Sequence, residues 1–87
     1  MSQHVFEVNT GVECLVGWDP PMQTFFAQVY KVDEDGERID AEEGGTIIWV
    51  GRVNSEIRTV RELAMLIELH AIIPLEIYEA LLEIELD

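Results

Sequence analysis

Polar and apolar residues alternate through the first third of the chain. His4, Phe6 and Val8 fall on one side, and Val5 and Glu7 on the other. That period of two is the mark of a half-buried strand. Asn9-Thr10-Gly11 then supplies a residue that tolerates positive φ, so the pattern predicts a hairpin turn. Alternation resumes with Val12, Cys14, Val16 and Trp18 on one face, and Asp19-Pro20-Pro21 removes two backbone donors and stops the ladder. A third strand is expected over residues 23–32, with Phe25, Ala27 and Val29 on one face and Phe26, Gln28, Tyr30 and Val32 on the other. After Gly44-Gly45, the unbroken apolar run Thr46-Ile47-Ile48-Trp49-Val50-Gly51 suits a central or covered strand, buried on both sides.

The period changes in the second half. Thr59 and Glu62 form a capping box that opens a helix. Val60, Leu63, Ala64, Ile67 and Ala71 recur at helical spacing, and Leu66, Leu69 and Ile73 widen the stripe up to Pro74. Pro74 fits the first position of a second helix, where its missing donor costs nothing. There Ile77, Leu81 and Ile84 form an apolar line, broadened by Tyr78 and Leu82, opposite an acidic stripe of Glu76, Glu79 and Glu83. Strands first and helices second predict an α+β fold of two layers, an antiparallel sheet of three or four strands followed by two C-terminal helices packed on one face. The expected core is Phe6, Val8, Cys14, Val16, Phe25, Ala27, Val29, Ile47, Trp49, Leu63, Leu66, Ile67, Ile77 and Leu81.

Composition narrows the function. The 87 residues suffice for a single domain, and 48% of them are hydrophobic, enough for a packed interior. Eighteen acids against five bases leave a net charge of −13. Such a body repels phosphate backbones and anionic membrane surfaces, which argues against direct nucleic-acid or membrane binding. No apolar run approaches the roughly 20 residues that span a bilayer. The first residues show no basic region followed by an apolar stretch, and the single cysteine, Cys14, cannot form an internal disulfide. The expected location is therefore the cytoplasm.

Seven acids, Asp33, Glu34, Asp35, Glu37, Asp40, Glu42 and Glu43, crowd the segment before the fourth strand, with Arg38 as the lone base. Carboxylates that converge can hold calcium or magnesium, but an EF-hand loop needs an acid five positions before its glycine, and that position before Gly36 is Lys31. A solvated hairpin end is the simpler reading. His4, His70 and Cys14 fall on three different elements, and an activated thiolate needs nearby positive charge that this chain scarcely offers. Nucleotide-binding, nucleophile-elbow and zinc-protease motifs are missing, so no cofactor is expected and a metal-dependent or thiol enzyme is the least favoured alternative.

The most distinctive segment is Gly17-Trp18-Asp19-Pro20-Pro21-Met22-Gln23-Thr24-Phe25-Phe26, in which two prolines stiffen a backbone laden with large apolar groups. Only some of these can face one core, and aromatics left outside are favoured interface anchors. Two helices also cover only one face of a sheet, leaving the other for a partner. Together with a histidine-Val-Phe start and a late Ile72-Ile73-Pro74 leading into an acidic-apolar helix, this segment resembles a family of short uncharacterised bacterial proteins often encoded on plasmids and integrative conjugative elements. The resemblance implies a mobile-DNA setting and no catalytic residues; it does not extend to the acidic middle or the apolar strand at residues 44–51.

The resulting expectation is a non-catalytic protein-interaction domain. Its contacts are Trp18, Asp19, Phe26 and Tyr30, and its steering field comes from Asp33, Glu34, Asp35, Glu37, Asp40, Glu42 and Glu43. The partner is an unknown protein with a basic, nucleic-acid-binding surface, in the sharpest version one inhibited by DNA mimicry. The alternative is a self-associating structural protein, a homodimer built on the second helix or the uncovered sheet face.

Overall fold

The computed structural model describes residues 2–87. Three strands of equal length, β1 (Ser2–Asn9), β2 (Val12–Asp19) and β3 (Thr24–Lys31), precede β4 (Thr46–Val50). They form one antiparallel meander in the order β1-β2-β3-β4. Two helices follow, α1 (Val60–Ile67) and α2 (Leu75–Glu85), and both pack on the same face of the sheet. The expected α+β architecture is what the chain adopts.

The core lies between the sheet and the helices. Cys14 and Val16 of β2 and Phe25, Ala27 and Val29 of β3 meet Val60, Leu63 and Ile67 of α1 and Leu81 of α2, all fully buried. Phe6, Val8 and Ile77 pack half-buried against them. The core expected from periodicity fails at three positions, Ile47, Trp49 and Leu66, which are exposed. Two of these lie in β4. In a meander the last strand is an edge, so β4 has one covered face and not two, and its continuous apolar run divides by parity. Ile48 and Val50 turn toward the helices opposite Val29 and Ala27, whereas Trp49 stands opposite Gln28 on the other face.

Ile57 joins the core from an irregular segment. The Phe25 amide donates to the Ile57 carbonyl at 2.9 Å, and the Ile57 amide donates to Thr24 Oγ1 at 2.8 Å, so the buried threonine hydroxyl serves the chain where a strand pairing would otherwise have done so. Thr59 caps α1 as expected, its hydroxyl accepting from the Glu62 amide at 3.1 Å. The Val60 amide donates to a Glu85 carboxylate at 2.6 Å, which ties the end of α2 to the start of α1. α1 stops at Ile67, earlier than the apolar stripe predicts, and Pro74 is the N-cap of α2 and not its first helical residue.

Candidate functional site

The helices leave the opposite face of the sheet bare. Side chains on it alternate with those of the core: Gln3, Val5 and Glu7 from β1, Glu13 and Leu15 from β2, Phe26, Gln28 and Tyr30 from β3, and Trp49 from β4. At its centre, a groove of about 330 Å³ is lined by Leu15, Met22, Phe26, Gln28, Trp49 and Arg52, with Gln3 and Asp19 also contributing to its wall. Gly17 makes room for it. A Cβ there would sit 1.9 Å from the Ser2 carbonyl oxygen and 2.8 Å from the Phe26 ring, so only glycine lets the β1 backbone and that ring approach β2 this closely.

Two features of the groove suit recognition. Gln28, only 8% exposed, lines the groove. Its amide offers a donor and an acceptor to whatever occupies the groove. Trp49 is 47% exposed, and the Arg52 guanidinium lies 4.1 Å from the centre of its ring. Arg38 stacks likewise on Tyr30 at 4.3 Å. Two of the five cations in a strongly acidic chain thus rest on aromatics of this face, where ring quadrupoles hold them.

The face becomes acidic toward one end. Glu7 and Glu13 stand directly opposite in the β1–β2 register, an arrangement that like charges disfavour. They share a concavity with Asp33 and Glu34. The acidic segment is an ordered continuation of β3: Val32 bridges Arg38, and Asp33 Oδ1 accepts from the amides of Asp35 and Glu37, both at 2.9 Å. Asp33, Glu34, Asp35 and Glu37 therefore sit on a tight turn. Asp40 follows as the N-cap of a single-turn 3-10 helix, Ala41–Glu43, which carries Glu42 and Glu43. All seven are exposed. No group of three His, Cys, Asp or Glu among the described residues could hold a metal ion.

The four expected contact residues do not form one cluster. Phe26 and Asp19 line the groove. Tyr30 belongs to the same face but is only 7% exposed, covered by Arg38 and donating to Glu13 Oε1 at 3.2 Å; it is a support and not an exposed anchor. Trp18 turns the other way, its ring 4.8 Å from that of Phe25 and packed against the core. The aromatic that sequence reading missed is Trp49. Its signal was parity: once Ile48 and Val50 face the helices, Trp49 must face away.

Cys14 is sealed inside. It is fully buried, and burial pushes its thiol up to about 12 from 9.0. Native protein is expected to resist alkylation at neutral pH and to react fully in urea. Because the unfolded thiol ionises from pH 9.0 while the folded one stays protonated to about 12, unfolding releases a proton across that window. This contribution to stability is complete below pH 9.0 and is lost as pH rises toward 12. Tyr30 shifts the same way, by burial first and then by its hydrogen bond to Glu13, so the two effects add. A urea midpoint that did not fall across this range would contradict both.

These observations define a class, a small α+β domain with a bare aromatic sheet face beside an acidic end. Set against known proteins, the chain matches no family model, no curated protein and no solved structure. No helix among the described residues is long and apolar enough to cross a membrane.

Proposed function

We propose that the domain is a non-catalytic binding module that lays its open sheet face, and the acidic turns beside it, on a basic surface of a partner protein. The observation that carries this reading is the groove, where an exposed tryptophan, an apolar wall and the Gln28 side chain converge. Apolar contact supplies affinity there, and the Gln28 amide is placed to meet a backbone peptide group of the partner. The acidic turns supply the long-range field, and a cation from the partner relieves the opposed Glu7 and Glu13. A nucleic-acid-binding partner, and with it the mobile-element setting and a cytoplasmic site of action, is the extension that the charge and the family resemblance favour.

Affinity capture from host lysate, at low salt and at about 1 M salt, where the Debye length falls to about 3 Å, tests this. A protein with a basic surface is expected to be retained at low salt and released at high salt. If that partner is inhibited by mimicry, duplex DNA competes it off. Substituting Asp33→Asn, Glu34→Gln, Asp35→Asn and Glu37→Gln together keeps the turn, because asparagine still offers the oxygen that accepts from residues 35 and 37. The quadruple variant is expected to bind about ten-fold more weakly with a shallower salt dependence. Unchanged affinity and unchanged salt dependence would overturn the proposal.

A further inference from the structure

The helix side of the molecule carries a second apolar surface of different make. Met65, Leu66, Leu69, Ile72 and Leu75 are 59%, 47%, 92%, 82% and 70% exposed, although they lie within a short stretch that includes the end of α1. α1 is apolar on both sides. Val60, Leu63 and Ile67 face the sheet, while at about 100° per residue Met65 projects from the opposite side and Leu66 from the flank, and Leu69 is exposed just beyond the helix. The connection to α2 is pinned and not frayed: Ala71 and Ile73 turn inward, and the His70 and Ala71 amides donate to the Ile67 carbonyl at 2.8 and 2.9 Å. Five large apolar side chains held exposed in so short a stretch mark a candidate interaction surface.

We propose that this surface binds a second copy of the chain, α1 against α1, antiparallel about a two-fold axis. The charge pattern of α1 selects that occupant. Along its outward side, Arg61 precedes Met65 by one turn, and Glu68 follows it by nearly one turn. An antiparallel two-fold pair brings Met65 of each copy to the axis and sets Arg61 of one copy against Glu68 of the other, on both sides at once. The surface is therefore complementary to itself. Because α1 and the open sheet face lie on opposite sides of the sheet, the dimer leaves both grooves free and presents two binding faces to a partner.

Salt separates this interface from the docking proposed above. Each copy has a charge of −13, so general repulsion opposes pairing and salt relieves it. Dimerisation is expected to strengthen with salt, whereas docking on a basic partner weakens. Sedimentation velocity of the intact chain, from low to high micromolar concentration, is expected to show a dimer that is more populated at about 0.5 M salt than at low salt. Leu69→Glu is expected to weaken it about 100-fold or more. Ile72→Gln, outside the helix, checks the same face without touching α1, and circular dichroism confirms that both variants are folded. Arg61→Glu is expected to weaken the dimer about five-fold, and adding Glu68→Arg to restore it. A monomer at every concentration and salt, a dimer indifferent to both apolar variants, or a dimer broken by Trp49→Ala instead would each overturn the assignment.

Discussion

Gly51→Ala is expected to destabilise the domain by about 3 kcal/mol or more, while Gly36→Ala costs only about 1 kcal/mol. Both glycines have nearly the same backbone, φ +83° and φ +82°, so the left-handed penalty is common to the two. Their surroundings differ. A Cβ on Gly36 meets nothing within 4 Å, whereas one on Gly51 would lie 2.2 Å from the Phe25 carbonyl oxygen and 2.6 Å from Phe26 Cα. Those neighbours are strand backbone and cannot swing aside as a side chain could. To relieve the clash the chain must lift residues 51–58 from β3, and that motion opposes several bonds at once. The Gly51 and Arg52 amides donate to Glu56 at 3.0 and 3.2 Å, and Ile57 is held by Phe25 and Thr24. A domain of this size holds a total of about 4–13 kcal/mol, so the variant loses a large share of its stability. Urea midpoints of the two variants measure the contrast; equal shifts would show that segment 51–58 is not pressed against the sheet.

The same segment shows why part of the fold was hidden in the sequence. β1, β2 and β3 were legible because each has one covered and one open face, so the chain itself alternates. Thr59 announced α1 because a capping residue acts locally. Ile57 had no such signal: it belongs to neither a strand nor a helix period, and only the long-range pairing with Thr24 and Phe25 places it in the core. β4 failed for the opposite reason. Four consecutive large apolar residues carry no parity of their own, and register against β3 alone decides which of them face the helices. Leu66 failed similarly, since α1 is apolar around most of its circumference and the stripe could not reveal which side meets the sheet.

The candidate site was legible in its chemistry more than in its membership. Phe26 and Asp19 stand where the alternation and the proline-rich turn placed them. Trp18 was drawn into the expected site by its neighbours in sequence, although its own strand pattern put it with Val12, Cys14 and Val16 on the core side. The groove is a property of four strands side by side. Leu15, Phe26 and Trp49 become neighbours only through register, and the vacancy over β2 exists only because Gly17 lies under the Phe26 ring.

That placement makes Trp49→Ala the decisive functional variant. It is expected to reduce partner affinity about 30-fold or more, the effect of losing a central tryptophan anchor worth roughly 2 kcal/mol. Stability is expected to fall by less than about 1 kcal/mol, because the ring is half-exposed and what it loses within the domain is chiefly its stacking with Arg52. Ile48→Ala, one residue earlier, should do the reverse. Its side chain packs against the core, so its removal is expected to cost about 2 kcal/mol or more of stability while leaving the affinity of the folded fraction intact. The two variants differ by one step along a single strand, and the pleat alone assigns them to opposite faces. Calorimetric or surface-plasmon affinities for the captured partner, read beside urea midpoints, separate the two effects. If Trp49→Ala binds as tightly as the unaltered chain, the open face is not the docking surface, and the acidic turns must act without it.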